Sequence, residues 1–340
     1  MLFCNRVYER YYLYYYYSGM VIMSDKFVPQ AFCIGQFSVL ELKTASHKKL
    51  ITGVVKIAHI SDLHISGMQD RRQLGFLDRM LDHFNTEGYD HLVISGDLSN
   101  SANPADWKII REKLVSHGLY QWERTTVIAG NHDLINLEEE MRFYNALNPL
   151  QRVRKKAFDR KVLEFCVFFQ ELITGEEQGN KAYPFIKIIN YSSVKIAIAA
   201  LNSVYPWYPA DNPLGARGSI SAGELRALSH AHALASLSDC FVIGLCHHAY
   251  KVYGTDSPID QAFDWTMELK NRDEFLGVMK LIHARLVLHG HFHRFQSYGV
   301  NDITFINGGS FRYNPNCYSE LLIEGMGSCT QKFITLPVKT

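Results

Sequence analysis

Five short motifs of the sequence hold side chains that can bind metal ions, and each motif comes directly after an apolar run. The motifs are Asp62-x-His64, Gly96-Asp97, Gly130-Asn131-His132-Asp133, His247-His248 and Gly290-His291-x-His293. Histidine and carboxylate ligands without cysteine suit manganese, iron or zinc better than calcium or magnesium. The motifs therefore indicate that several strand ends provide ligands for divalent metal ions.

The spacing within two motifs suggests how their side chains converge. Asp62 and His64 are two residues apart, as are His291 and His293, and in an extended segment both members of such a pair point to one face. Glycine precedes three of the motifs, where it leaves room for the backbone to turn sharply or to approach an ion.

Each motif alone also has a simpler explanation. An Asp at a strand end often caps the next helix, Asn131 can be a turn residue, and His247 and His248 can be buried core histidines. Taken together, five strand ends that all finish in Asp, Asn or His favour one shared site. Ligands of open α/β sheets bind beyond the carboxyl ends of the strands.

Apolar runs alternate with amphipathic segments from residue 54 onward. Strands are predicted over residues 54–60, 91–95, 126–129, 194–201, 240–245 and 285–288, and three more near the end of the chain, over 303–306, 319–323 and 332–336. Helices are predicted over 74–84, 105–117, 221–237 and 273–283, with Ser221 as a cap. This alternation predicts a layered α/β core, and the β-rich end predicts mixed sheets.

Two segments depart from this rhythm. Residues 1–53 are predicted to be an N-terminal extension with a tyrosine-rich, low-complexity start, and residues 54–340 one catalytic domain. Within that domain, 137–190 carries a basic helix followed by an apolar stretch. This segment is either a helical insertion that acts as a lid over the site or a packed helix with one solvated face.

Composition excludes several classes of protein. Of the 340 residues, 47% are hydrophobic and 20% charged, which excludes wholesale disorder, and a net charge of +1 gives no sign of nucleic-acid binding. The seven cysteines are scattered without a Cys-x-x-Cys pair, which favours a reducing compartment. No membrane-spanning run is expected, and a secretory signal is disfavoured, so we expect a cytoplasmic protein. The oligomeric state stays open.

In their order along the chain, the five motifs resemble those of the calcineurin-like metallophosphoesterase superfamily. The resemblance extends over roughly 54–336. Further features resemble its cyclic-nucleotide-phosphodiesterase-like branch, namely Leu201-Asn202-Ser203, Gly218-Ser219-Ile220, His247-His248, Leu269-Lys270-Asn271 and Asn307-Gly308-Gly309-Ser310. The resemblance implies a four-layer α/β/β/α sandwich of two mixed β-sheets flanked by helices.

The resemblance also implies a role for each motif residue. The ligands of two divalent or mixed-valence ions (manganese, iron or zinc) would be Asp62, His64 and His293 for the first, Asn131, His247 and His291 for the second, with Asp97 bridging both. The candidate catalytic residues are His132, as general acid, with Asn100 and Asp133. Many phosphatases of the family carry Asp where this chain has Asn100, so here an amide would hold the imidazole. His248 and His289 would orient ligands or touch phosphate.

The implied reaction is hydrolysis of a small phosphodiester by in-line attack of a metal-bridging hydroxide, with His132 protonating the leaving oxygen. The charges of two ions, two carboxylates and a hydroxide leave a small positive excess, which matches a singly charged diester. A nuclease, a phosphomonoesterase or a lipid head-group hydrolase could use the same site. A non-catalytic interaction module is the alternative of another class, although such modules typically lose ligands that this chain retains.

Overall fold

Two β-sheets form the centre of the fold. The structure is a computed structural model that describes residues 41–46, 53–67, 70–147, 151–175, 183–251 and 267–337. The tyrosine-rich start of the sequence lies outside the described residues.

The five-stranded sheet carries the first three motifs. Its strands, in order across the sheet, are β12 (Ser328–Thr335), β11 (Cys317–Glu324), β2 (Val54–Ile60), β3 (His91–Ile94) and β4 (Thr125–Val127). The last three strands run parallel, whereas β11 is antiparallel to both of its neighbours. The carboxyl ends of β2, β3 and β4 therefore meet at one edge of the sheet.

The seven-stranded sheet carries the other two motifs. Its order is β1 (Glu41–Ser46), β5 (Phe185–Asn190), β6 (Lys195–Ala200), β7 (Phe241–Leu245), β8 (Ala284–His289), β10 (Ile303–Gly308) and β9 (Phe295–Val300). It is also mixed, because β5 pairs antiparallel with β6 and β9 antiparallel with β10, while the other pairs are parallel.

Alternate residues of the seven-stranded sheet face two different cores. In β6, Ile196 and Ile198 pack between the two sheets, whereas Ala197 and Ala199 face the outer helices. In β8, Leu286 likewise faces inward. This alternation follows from the two-residue period of a strand, and it explains why these strands are apolar throughout.

Helices cover both outer faces. The helices are α1 (Arg71–Thr86), α2 (Pro104–Ser116), α3 (Asn131–Leu134), α4 (Leu137–Leu147), α5 (Gln151–Phe168), α6 (Gln170–Thr174), α7 (Ala222–Leu228), α8 (Ala231–Leu237) and α9 (Arg272–Leu281). Apolar residues of α1 and α2 belong to the core of the five-stranded sheet, and those of α7 and α9 to the outer core of the seven-stranded sheet. The predicted four-layer α/β/β/α architecture of two mixed sheets flanked by helices is confirmed. None of the helices in the described ranges is long and apolar enough to cross a bilayer.

The structure also contains elements that the sequence did not predict. Strands β5 and β9 are additional, and the helix predicted over 221–237 is divided after Leu228, where the Ser229 hydroxyl donates to the Leu225 carbonyl at 2.8 Å. Strand β1 lies in the segment assigned to the N-terminal extension, yet it pairs with β5. The domain limits themselves stay a prediction.

The segment 137–190, predicted to be a helical insertion, contains α4, α5 and α6 and ends in strand β5, and α5 packs through its apolar side. Phe165 and Phe169 of α5 and its junction with α6 are fully buried. On the opposite side the basic residues form ion pairs, such as Lys155 with Asp159 at 3.1 Å. This arrangement is that of a packed helix with one solvated face.

Candidate metal centre

The predicted ligands lie in loops that follow five strands. Two of them follow β2, one follows β3 and one begins α3 after β4; the others follow β7 and β8. The structure gathers Asp62, His64, Asp97 and His293 into a first group and Asp97, His247 and His291 into a second. Within each group the potential ligand atoms all lie within 4.8 Å of one another.

In the first group, the ligand atoms surround a common point. His293 Nε2 lies 3.1 Å from Asp62 Oδ1 and 3.1 Å from His64 Nε2. His64 Nε2 is 3.6 Å from Asp97 Oδ2. An ion held at roughly 2.0–2.2 Å from each ligand separates neighbouring ligand atoms by about 3–3.6 Å, so these spacings fit one ion.

The second group has the same spacing. His247 Nε2 lies 3.4 Å from Asp97 Oδ2, 3.2 Å from Asn131 Oδ1 and 3.2 Å from His291 Nδ1. The same oxygen of Asp97, Oδ2, therefore faces both groups. The amide oxygen of Asn131 therefore lies beside the second group.

The environment of the histidines suits metal coordination. His247 Nδ1 lies 2.8 Å from the Ser95 carbonyl, which can only accept, so Nδ1 carries a proton and Nε2 is the atom that faces Asp97. Burial lowers the pKa of His291 well below its ordinary value, which keeps this imidazole neutral. The other ring nitrogens of His64 and His291 are buried without a hydrogen-bond partner in the structure. This donor set fits two divalent ions.

Asp97 is the electrostatic centre of the site. Burial alone would raise its pKa, but the neighbouring His247, with His132 and His64, outweighs burial and holds the pKa of Asp97 well below its usual value. Burial likewise opposes the charged form of His247, yet Asp97 raises the pKa of His247 to about 9. Asp97 is therefore ionised and available as a ligand.

The ligand loops have left-handed backbone conformations. The residues with positive φ include Asp62 (54°), His64 (45°), Asp97 (52°), His291 (73°) and His293 (53°). The expectation that each pair of ligands shares an extended segment was therefore wrong, since β2 ends at Ile60 and β8 at His289. The side chains converge because alternate residues turn back in the left-handed region, a conformation found at functional sites.

Two glycines are required because the ligand loops approach each other closely. A Cβ atom at Gly290 would collide with the Ser61 hydroxyl and lie 2.5 Å from Asp62 Oδ2. A Cβ atom at Gly130 would collide with the carboxylate of Asp97. The glycines make room for ligand side chains of neighbouring loops.

His132 lies beside the first group without joining it. Its ring centroid is 4.8 Å from that of His64, and its backbone N–H donates to Asp97 Oδ1 at 2.8 Å. Its Nδ1 lies 2.9 Å from the backbone carbonyl of Asn100, whose side chain is exposed. The side-chain amide of Asn100 was expected to hold the imidazole of His132. The peptide carbonyl of Asn100 makes this contact instead, because the loop directs its backbone toward the imidazole.

Asp133 does not face the metal groups. Its buried carboxylate accepts hydrogen bonds from the backbone N–H groups of Leu98, Ser99 and Gly130 at 3.1, 2.8 and 2.9 Å, and from Trp107 Nε1 at 3.2 Å. Burial and the nearby Asp97 raise the pKa of Asp133 to about 6. Its side chain ties the loop after β3 to the loop after β4.

Two further residues support the site and were not among the predicted site residues. Ser203 Oγ accepts from the backbone N–H groups of His247 and His248, both at 3.0 Å. Glu224 accepts from the backbone N–H of Asn202 at 2.8 Å and so fixes the loop that holds Ser203. The spacing Ser221-x-x-Glu224 is that of a capping box, a signal from which Glu224 could have been found.

His248 and His289 lie behind the ligands. Both side chains are buried, and the ring centroid of His248 lies 4.4 Å from that of the candidate ligand His291. His289 Nε2 lies 3.2 Å from the hydroxyl of Tyr298. This places both residues where they orient the ligand loops.

Comparison with known proteins agrees with this geometry. The family model described as calcineurin-like phosphoesterase matches residues 55–295. A dimetal phosphatase from Danio rerio is 11% identical, with a TM-score of 0.50 over 82% of this chain and 98% of its own. A purple acid phosphatase from yellow lupin (Lupinus luteus) seeds is 10% identical, with a TM-score of 0.50 over 83% of this chain and 51% of its own. At such identities the likeness shows the fold alone. None of the curated proteins matches the chain.

Proposed function

The chain belongs to the calcineurin-like phosphoesterase family, and from this premise we propose that it hydrolyses phosphodiesters with a centre of two metal ions. One observation carries the proposal. Asp97 Oδ2 lies 3.6 Å from His64 Nε2 and 3.4 Å from His247 Nε2, so one carboxylate oxygen serves both ligand groups.

Each ion would be held by residues of both sheets. Asp62, His64 and His293 would bind the first ion, and Asn131, His247 and His291 the second, with Asp97 shared. Manganese, iron and zinc suit this donor set. When bound, two such ions supply a hydroxide nucleophile at neutral pH and neutralise the charge of the phosphoryl oxygens.

His132 would donate the proton that the leaving oxygen needs. With Nδ1 directed at the Asn100 carbonyl, its Nε2 is the atom left to carry and deliver that proton. The backbone hydrogen bond to Asp97 fixes the distance of the imidazole from the shared carboxylate. Asp133 would act by positioning, since its carboxylate holds together the two loops that carry Asp97 and His132.

The charge of the site favours a diester over a monoester. Two carboxylates, Asp62 and Asp97, offset half the charge of two divalent ions, and a hydroxide offsets more, which leaves a small excess for a singly charged substrate. A small diester of the cyclic-nucleotide type is the substrate class we propose, and its leaving sugar oxygen needs the proton that His132 would supply.

The described cysteines are in keeping with a reducing compartment. Cys166, Cys240, Cys246, Cys317 and Cys329 are all free thiols. We place the enzyme in the cytoplasm as part of the proposal.

The proposed function is tested by measuring the activity of metal-loaded protein on matched substrates. The protein is loaded with manganese, iron(II) or zinc and assayed with bis(4-nitrophenyl) phosphate, 4-nitrophenyl phosphate, a cyclic nucleotide and single-stranded DNA. We expect kcat/KM for the diester to exceed that for the monoester by about 10-fold or more. If the protein prefers the monoester or single-stranded DNA, the preferred compound becomes the proposed substrate class in place of a small diester. Two bound ions without turnover of any substrate would make the protein a non-catalytic module.

A further inference from the structure

An aromatic side chain stands exposed beside the candidate metal centre. Tyr313 is 68% exposed, the most of any large apolar or aromatic side chain among the described residues. Its ring centroid lies 5.3 Å from that of the candidate ligand His293, at an interplanar angle of 53°. A ring that is mostly open to water while it contacts a metal ligand lies at the mouth of the site.

The turn that carries Tyr313 is anchored to the ligand loop after β2. The backbone N–H groups of Phe311 and Arg312 donate to the carbonyls of Ser61 and Asp62 at 2.9 and 3.1 Å. Arg312 also forms an ion pair with Asp70. The backbone next to Tyr313 is therefore held by the same loop that positions Asp62, so only the side-chain torsions of Tyr313 remain to be ordered when its ring binds a partner.

A row of rings connects Tyr313 to the candidate proton donor. The centroid of His132 is 4.8 Å from His64, that of His64 is 5.1 Å from His293, and that of His293 is 5.3 Å from Tyr313. Both ends of this row flank the first ligand group. A substrate phosphate held at the metals would extend one ester arm along this side of the centre.

We propose that Tyr313 contacts the substrate and selects it, by stacking on a planar ring carried by an ester arm of the phosphodiester. This inference rests on the proposed function and narrows the substrate class to diesters with an aryl or nucleobase ring. An exposed tyrosine can stack on many different planar rings, since every planar aromatic ring has a π face. Phe retains that face, whereas Leu is apolar without one.

Binding of two matched phosphinates tests the proposal without turnover, because a phosphinate carries one negative charge and has no P–O ester bond to hydrolyse. Benzyl(methyl)phosphinate, the phenyl compound, and (cyclohexylmethyl)(methyl)phosphinate, the cyclohexyl compound, differ in whether the ring is planar and aromatic. Their Kd values are measured by calorimetry with the manganese-loaded full chain and with Tyr313→Leu, Tyr313→Phe and the control Phe76→Leu. Phe76 is a partly buried aromatic residue of α1 that packs against the edge of the core, with the Arg79 guanidinium 4.5 Å above its ring.

We expect wild type to bind the phenyl compound about 5-fold more tightly than the cyclohexyl compound. Tyr313→Leu should lose this preference, whereas Tyr313→Phe and Phe76→Leu should retain it. In the diester assay, Tyr313→Leu should raise KM about 5- to 20-fold with kcat within about twofold of wild type. Equal weakening of the binding of both phosphinates, or an unchanged preference, would overturn the role of Tyr313. Absence of diester turnover with the binding preference intact would instead overturn the proposed function.

Discussion

The backbone N–H of His132 donates a 2.8 Å hydrogen bond to Oδ1 of Asp97, while the other oxygen of the same carboxylate faces both ligand groups. One side chain would thus set the position of both proposed ions and of the imidazole that would supply a proton. The geometry of the proposed reaction depends on Asp97 more than on any single histidine.

Asp97→Asn should abolish binding of both ions. Asparagine retains the shape of the side chain and tolerates the left-handed backbone, but it lacks the negative charge that two cations share. We expect metal analysis of the purified variant to fall from two ions per chain to nearly none. Asp90→Asn, at a buried carboxylate that accepts from the backbone N–H of Lys56 at 2.9 Å, is the matched control and should retain both ions. Two ions per chain in Asp97→Asn would refute the bridging role.

His132→Ala should slow hydrolysis without loss of metal. Because its imidazole would only supply a proton, kcat for an alkyl phosphodiester should fall by roughly 10²–10⁴-fold. The loss should be much smaller for a nitrophenyl diester, whose leaving group departs without a proton. Metal content is measured on the same sample. Equal losses with both leaving groups would remove the role of general acid, and reduced metal content would make His132 a ligand.

Gly290→Ala should disrupt the first ligand group. The added Cβ would lie against Ser61 and the carboxylate of Asp62, which must move for the residue to fit. We expect loss of one or both ions and of diesterase activity. Gly75→Ala is the control, since a Cβ there meets no atom within 4 Å on the helix α1, and it should raise the free energy of unfolding by about 0.5–1 kcal/mol. A fully metallated, active Gly290→Ala protein would contradict this account.

Ionisation of the Glu224 carboxyl should lower the free energy of unfolding as the pH rises. Burial raises the pKa of Glu224 to about 7 from an ordinary value of 4.5. A raised pKa means that the folded state binds the proton more tightly, so this stability is full below the ordinary pKa and is lost as pH rises through about 7. The loss is of order 3 kcal/mol at most.

Urea unfolding of wild type and Glu224→Gln at about pH 5 and about pH 8 measures this effect. The glutamine cannot ionise, so wild type should lose stability relative to the variant between the two pH values. Glu112→Gln, at an exposed glutamate paired with Lys108, should follow wild type. Parallel profiles of wild type and Glu224→Gln would show that Glu224 does not titrate in this range.

The candidate ligands could be found from the sequence because the chemistry of each strand end is visible in the residue types. Their backbone geometry could not. Asp62 and His64 were expected to share a face of an extended segment, whereas a left-handed turn at each residue brings them together. That turn depends on contacts with loops distant in the sequence, such as the hydrogen bond from the Asp62 N–H to the Gly96 carbonyl at 3.1 Å.

Strand β5 shows why some elements escape prediction. Lys187 stands in its middle and is fully buried, which obscures the apolar pattern of the strand. Its Nζ donates to the carbonyls of Trp122 and Thr125 at 3.0 and 2.6 Å, partners that only the fold supplies. The same limit applies to Asp133, because two of the three backbone N–H groups that donate to its carboxylate, those of Leu98 and Ser99, belong to a loop distant in the sequence.

The placement of the candidate ligands means that a bound ion would connect the two sheets. His64 belongs to a loop of the five-stranded sheet and His293 to a loop of the seven-stranded sheet, 229 residues later in the chain. By mass action, each tenfold rise in free metal above the dissociation constant would then add about 1.4 kcal/mol to the stability of the folded chain for each site. The melting temperature of this protein would accordingly report the concentration of free metal around it, before any substrate is present.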